Sequence, residues 1–104
     1  MNQEQQLEAE IIAKKLVAPR ITPQLIDSVI KDVMYYVFPG SMLTICNITL
    51  ENGFNVTGES ACVSPENFDK EIGQKVSYNK ARDKIFALEG YLLKERIYQE
   101  ETDV

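Results

Sequence analysis

Asn47-Ile48-Thr49-Leu50-Glu51-Asn52-Gly53-Phe54-Asn55-Val56-Thr57-Gly58 is the stretch on which the fold turns. Apolar and polar residues alternate on both sides of Asn52-Gly53. Asn-Gly in that setting is the strongest short-range hairpin signal, with both turn residues expected at positive φ. A few residues later, Ser64-Pro65-Glu66-Asn67-Phe68 offers a cap oxygen and then a proline whose φ suits the first helical position. A long helix is therefore predicted to open at Pro65. Hairpin and helix, from Asn47 to Gly90, form the predicted core unit.

Working outward, Val33 to Phe38 is β-branched and aromatic and stops at Pro39-Gly40, which predicts a strand followed by a turn. Ser41 to Leu50 predicts a strand contacted on both faces. Phe54, Val56 and Gly58 alternate with Asn55, Thr57 and Glu59, which gives the partner strand one wet face. Three antiparallel strands follow. Upstream, Leu7, Ile11, Ile12 and Leu16 recur at helical spacing until Pro19, an amphipathic helix over 2–17 whose first residues are expected to fray. Thr22-Pro23 repeats the cap-then-proline signature and opens a short helix with Leu25, Ile26, Val29 and Ile30 inside.

The long helix is the informative element. At 100° per residue Phe68, Ile72, Lys75, Asn79, Arg82 and Phe86 share one stripe, so polar side chains occupy the middle of a strip bounded by apolar ones. A buried polar group without a partner costs about 1–3 kcal/mol, so the strip must be solvated, paired within the protein or reserved for a ligand. The alternative roll turns Tyr78, Ala81, Ile85, Leu88 and Leu92 inward and leaves the strip to water. Gly90 is a point where the helix can bend or restart, and 99–104 reads as an acidic tail.

The chain has 104 residues, 44% of them hydrophobic, which suits one α+β domain: helical over 1–32, antiparallel strands over 33–60, helical again over 64–98. The apolar stripes exceed what a three-stranded sheet can cover, so a homo-oligomer is expected. No run of about 18 apolar residues is present, and Met1-Asn2-Gln3-Glu4 lacks the order of a signal peptide, so a cytosolic, membrane-free protein is expected.

With no histidine and only Cys46 and Cys62, sixteen positions apart, the chain cannot by itself build a zinc site or a Ser-His-Asp triad. The two thiols are expected to be buried on neighbouring strands, close enough that a disulfide is geometrically possible. The net charge of -5 argues against a duplex nucleic-acid partner. Between Lys70 and Lys84, however, five basic side chains face two acidic ones, which leaves room for a small anionic partner. Glu59, Glu66 and Asp69 are the carboxylates a hydrolase would use, but caps and solvated turns normally carry such residues.

Thr44-Ile45-Cys46-Asn47-Ile48-Thr49-Leu50, Asn52-Gly53-Phe54, Gly58-Glu59-Ser60-Ala61-Cys62-Val63, Asn67-Phe68-Asp69, Glu71-Ile72-Gly73 and Leu88-Glu89-Gly90-Tyr91-Leu92-Leu93 together resemble a family of small tailed-phage and prophage proteins, most of them without an assigned function. The resemblance runs from about Ser41 to Arg96. The arrangement is also similar to Thoeris anti-defence protein one, a phage-encoded sponge. That resemblance implies a symmetric homo-oligomer, dimer or hexamer, in the cytoplasm of the infected bacterium. It would bind cyclic ADP-ribose isomers, and in some members cyclic oligonucleotides of CBASS immunity, without cleaving them. No enzyme activity or cofactor is implied. Such a ligand presents a purine, ribose hydroxyls and a pyrophosphate, which call for an aromatic platform, an amide and arginine forks. Phe68, Asn79, Arg82 and Arg96 supply that set and are the candidate ligand-binding residues. A phage module that binds a host protein through its helices or sheet edge is the rival reading.

Overall fold

Strand β2 (Leu43–Leu50) alternates strictly: Thr44, Cys46, Ile48 and Leu50 are buried, and the residues between them are half-buried. In the structure, a computed structural model that describes residues 2–103, β2 is the centre of an antiparallel sheet, with β1 (Ile30–Val37) on one side and β3 (Asn55–Ala61) on the other. The buried side of β2 continues into Val56 and Gly58 of β3 and is covered by one long helix, α3 (Lys70–Thr102). Two helices precede the sheet, α1 (Gln3–Ala13) and α2 (Pro23–Val29). This is the α+β fold expected from the sequence.

Helix and sheet approach closely because small residues meet small residues. The face that α3 presents to the sheet is Gly73, Ser77, Ala81 and Ile85, all buried. Gly58 lies directly beneath: a Cβ there would stand 2.2 Å from the Ser77 carbonyl oxygen and 2.5 Å from the Ala81 nitrogen. Gly73 repeats the arrangement over Thr44, whose Oγ1 would be 2.8 Å from an added Cβ. Around this contact Ile26, Cys46, Ile48, Leu50, Val56, Ala81 and Ile85 form the core, and Ile21, Val29, Val33, Tyr78 and Phe86 pack at its margin.

Several local expectations are corrected. The hairpin turn is a three-residue loop, Glu51-Asn52-Gly53, closed by the Leu50 N–H donating to the Phe54 carbonyl at 2.8 Å. Only Gly53 takes a positive φ, of 89°. Asn52 instead uses its side chain, accepting from the Phe54 N–H at 3.0 Å, the way an Asx residue shapes a turn. Pro65–Asn67 forms a short 3-10 turn with no cap bond from Ser64. The long helix starts five residues later than the Ser-Pro signal suggests, where Asp69 accepts from the Ile72 N–H at 3.0 Å. No break occurs at Gly90, and the helix runs through the expected tail to Thr102. Val104, the end of that tail, and Met1 lie outside the described residues.

A helix of 33 residues measures about 50 Å, against about 27 Å for an eight-residue strand. Its last buried residue is Ile85; beyond it the helix passes the hairpin end and then overhangs the sheet, with Leu88, Tyr91, Leu92 and Tyr98 exposed. The chain is accordingly elongated, 58 × 32 × 20 Å. Helix α1 buries none of its residues, although a capping box between Asn2 and Gln5 secures its start. Among the described residues no helix is long and apolar enough to cross a membrane.

Candidate functional site

Arg82 is the most constrained charged residue of the fold. It sits on α3 one position past the buried Ala81, so its guanidinium emerges at the margin of the core beside α2 and the start of α1. Only 5% of it is exposed. Glu4 grips it from α1 with two bonds, Nε to Oε2 at 2.8 Å and an Nη to Oε1 at 3.0 Å. Asp27 of α2 adds an ion pair at 2.8 Å, Tyr78 Oη accepts at 3.1 Å, and the Pro23 carbonyl accepts at 3.2 Å. The rings of Tyr78 and Phe86 lie 6.0 and 5.8 Å from the guanidinium carbon, within cation–π range. Burial works against the charged form. The hydrogen bonds to Glu4 and Asp27, with the fields of Tyr78 and Glu4, outweigh it and hold the pKa above the ordinary arginine value.

A cleft of about 720 Å³ opens above this cluster between α1, α2 and α3, with Glu4, Asp27, Tyr78, Asn79, Asp83 and Phe86 among its lining. Three carboxylates face one guanidinium that is already paired. Within a single chain the cleft therefore repels phosphate rather than attracting it. A second groove, of about 470 Å³, runs between the hairpin end and α3, where Phe54, Val56, Ala87, Leu88 and Tyr91 make it largely apolar.

The four candidate residues do not converge on one pocket. Asn79 and Arg82 share the acidic cleft. Arg82, expected to be a phosphate ligand, serves instead as the internal anchor that ties α1 and α2 to α3. Arg96 stands fourteen residues further along α3, roughly 21 Å away by helical rise, exposed and without an ion pair among the described residues. Phe68 is half-buried just before the cap residue Asp69, at the opposite end of α3, roughly 40 Å from Arg96 along the axis. Arg20, the third arginine, is bonded to Glu8.

The other expected chemistry is equally dispersed. Asp69 is occupied as a helix cap, and Glu59 and Glu66 are exposed on β3 and the 3-10 turn, away from both clefts. Both cysteines are free. Cys46 is buried on β2, where burial pushes its thiol pKa up, partly offset by the Tyr35 hydroxyl. Cys62 is not the buried strand residue expected: it lies just past β3, half-exposed, with its Sγ donating to the Asn67 carbonyl at 3.6 Å. Among the described residues no group of three or more metal-ligating side chains comes together.

Glu4 and Asp27 were missed as partners of Arg82. The signal lay in the sequence, since an arginine inside an apolar stripe of an acidic chain needs a carboxylate, but the choice of an acid 78 positions away did not. No curated protein and no solved structure matches the chain. The model of one family matches residues 21–97, which contain the whole sheet, the Arg82 anchor and most of α3. This chain belongs to the phage protein (N4 Gp49/phage Sf6 gene 66) family.

Proposed function

We propose that this phage protein acts by binding: it sequesters a cyclic nucleotide immune signal, a cyclic ADP-ribose isomer or a cyclic oligonucleotide, and does not cleave it. The observation that carries this reading is Arg96, an exposed arginine on the overhanging half of α3 with no carboxylate of its own among the described residues. An arginine in that state is a free fork for phosphate oxygens. Phe68 supplies the stacking ring and Asn79 an amide, but Phe68 and Arg96 of one chain cannot reach one ligand. The pocket is therefore completed between copies in a homo-oligomer, dimer or hexamer, in the cytoplasm of the infected bacterium. Calorimetry with correctly assembled Arg96→Ala protein tests it. Loss of a charge-assisted phosphate contact weakens binding by about 10- to 150-fold; unchanged affinity removes Arg96 from the site.

A second reading is favoured by a different observation. Leu88, Tyr91, Leu92 and Tyr98 leave an exposed apolar stripe along the overhang of α3, the kind of surface a host protein's helix could cover. In that case the signal nucleotide stays free while a host protein is retained.

A further inference from the structure

The two edges of the sheet are treated differently. The Leu50 N–H bonds to Phe54, and the Phe38 N–H to Leu43 at 3.3 Å. In an antiparallel ladder these bonds fix the phase of every other residue. On β3 the outward backbone groups belong to Asn55, Thr57 and Glu59, and there Lys84 reaches over from α3 to donate to the Thr57 carbonyl at 2.6 Å. A lysine laid on an edge strand is a standard block against further pairing. On β1 the outward groups belong to Val33, Tyr35 and Val37. The Val33 N–H is taken by Asp32 Oδ1 at 3.0 Å, and among the described residues no side chain hydrogen-bonds to the outward backbone groups of Tyr35 and Val37.

The side chains of β1 do not guard this edge either. From Val33 to Val37 the strand reads Val-Met-Tyr-Tyr-Val, without charge, proline or glycine. Helix α3 packs chiefly on β2 and β3, so Tyr35 stays 38% exposed on the helix side and Met34 and Tyr36 stay 63% and 54% exposed on the other. An exposed apolar edge of this kind is a ready template for another strand, and this one is complementary to itself. A two-fold axis through Tyr35 sets Val33 opposite Val37 of a second copy, Tyr35 opposite Tyr35, and Met34 opposite Tyr36. Moving the register by one step in either direction breaks this. One shift sets Asp32 against Tyr36 and Lys31 against Val37, and the other leaves Val33 facing Pro39, which has no N–H to give.

We infer that the β1 edge pairs antiparallel with the β1 edge of a second copy, centred on Tyr35, to form a continuous six-stranded sheet. The Tyr35 pair exchanges two backbone hydrogen bonds, and each Val37 N–H donates one to the partner's Val33 carbonyl. Four bonds thus form without disturbing the Val33–Asp32 contacts. This rests on the self-association in the proposed function and gives it a surface; it needs no ligand, so a β1-paired dimer that binds no nucleotide would fail that reading alone.

Cross-linking tests the register. In a Cys62→Ser background, Met34→Cys protein and Tyr36→Cys protein are purified separately, mixed and oxidised. Residues 34 and 36 of paired copies are a non-hydrogen-bonded pair with Cα atoms about 4.5 Å apart, inside disulfide range. The mixture gives a mixed disulfide in high yield, and neither protein alone does. Light scattering of the parent gives twice the 11.8 kDa chain mass, or a multiple of it. Val37→Pro, which removes an N–H that the single chain does not use, lowers that mass with little change in melting temperature. A monomeric parent at high micromolar concentration overturns the inference. So does an oligomer that gives no mixed disulfide, or that persists in Val37→Pro, since its subunits must then meet elsewhere.

Discussion

Replacing Gly58 with alanine adds one methyl group where there is no room for it. The new Cβ would lie 2.2 Å from the Ser77 carbonyl oxygen and 2.5 Å from the Ala81 nitrogen, and both obstacles are helix backbone. A flexible side chain could turn away, but α3 must move as a body by about 1 Å, lifting Ser77, Ala81 and Ile85 from Cys46, Ile48 and Val56. Overpacking of this kind costs typically about 1–3 kcal/mol, and with backbone on both contacts the upper end applies. In a chain of this size about 3 kcal/mol lowers the melting temperature by roughly 12–24 °C. Gly90→Ala is the internal control: nothing lies within 4 Å of the added Cβ, and alanine there gains about 0.5–1 kcal/mol of helix stability. Thermal and urea unfolding followed by circular dichroism measure both. A Gly58→Ala protein as stable as the parent would refute the close crossing of α3 over β3.

Three further outcomes follow from individual contacts. Thr44 Oγ1 is fully buried with no hydrogen-bond partner among the described residues, so Thr44→Val, which keeps the shape and deletes the hydroxyl, raises unfolding free energy by about 1 kcal/mol in urea titrations. Arg82→Ala strands Glu4 and releases α1. With Asp27 largely exposed the cost is discounted to about 2–4 kcal/mol, and hydrogen exchange of α1 amides should rise at the same time. The raised pKa of Cys46 means that the folded state favours the neutral thiol. Its contribution is complete below the ordinary thiol value of 9.0 and is lost as pH rises above it, and Cys46→Ala flattens that alkaline decline in a stability-against-pH series.

The sequence was most informative where a pattern has one physical solution. Alternation in Ile48-Thr49-Leu50 and Asn55-Val56-Thr57 with Gly53 between them admits little but a hairpin, and the sheet matches it. It was least informative where two devices compete for the same role. Ser64-Pro65 and Asp69 both carry helix-start chemistry. Asp69 prevails, with Gly73 and Ser77 in the first turns it caps pressed against the sheet, while Ser64 is left heading a 3-10 turn. Gly90 carries the marks of a break, yet in an overhanging helix nothing pulls the backbone elsewhere and the helix continues through it. For the site, the periodicity did expose an anomaly at Arg82. It could not tell a ligand-facing guanidinium from one held by Glu4 and Asp27, because that depends on how α1 and α2 fold back over α3. Chemistry alone nominated Arg96, and the unbroken run of α3 holds it far from Phe68, at the other end of the helix.

The most direct test of the binding reading is to incubate the purified protein with a cyclic ADP-ribose isomer and, separately, a cyclic oligonucleotide, remove unbound nucleotide, then heat-denature the protein and identify what is released by chromatography with mass detection. The account predicts that one of these ligands is retained in stoichiometric amount per site and comes off chemically intact. Release of a hydrolysed product, or retention of neither nucleotide, would contradict it.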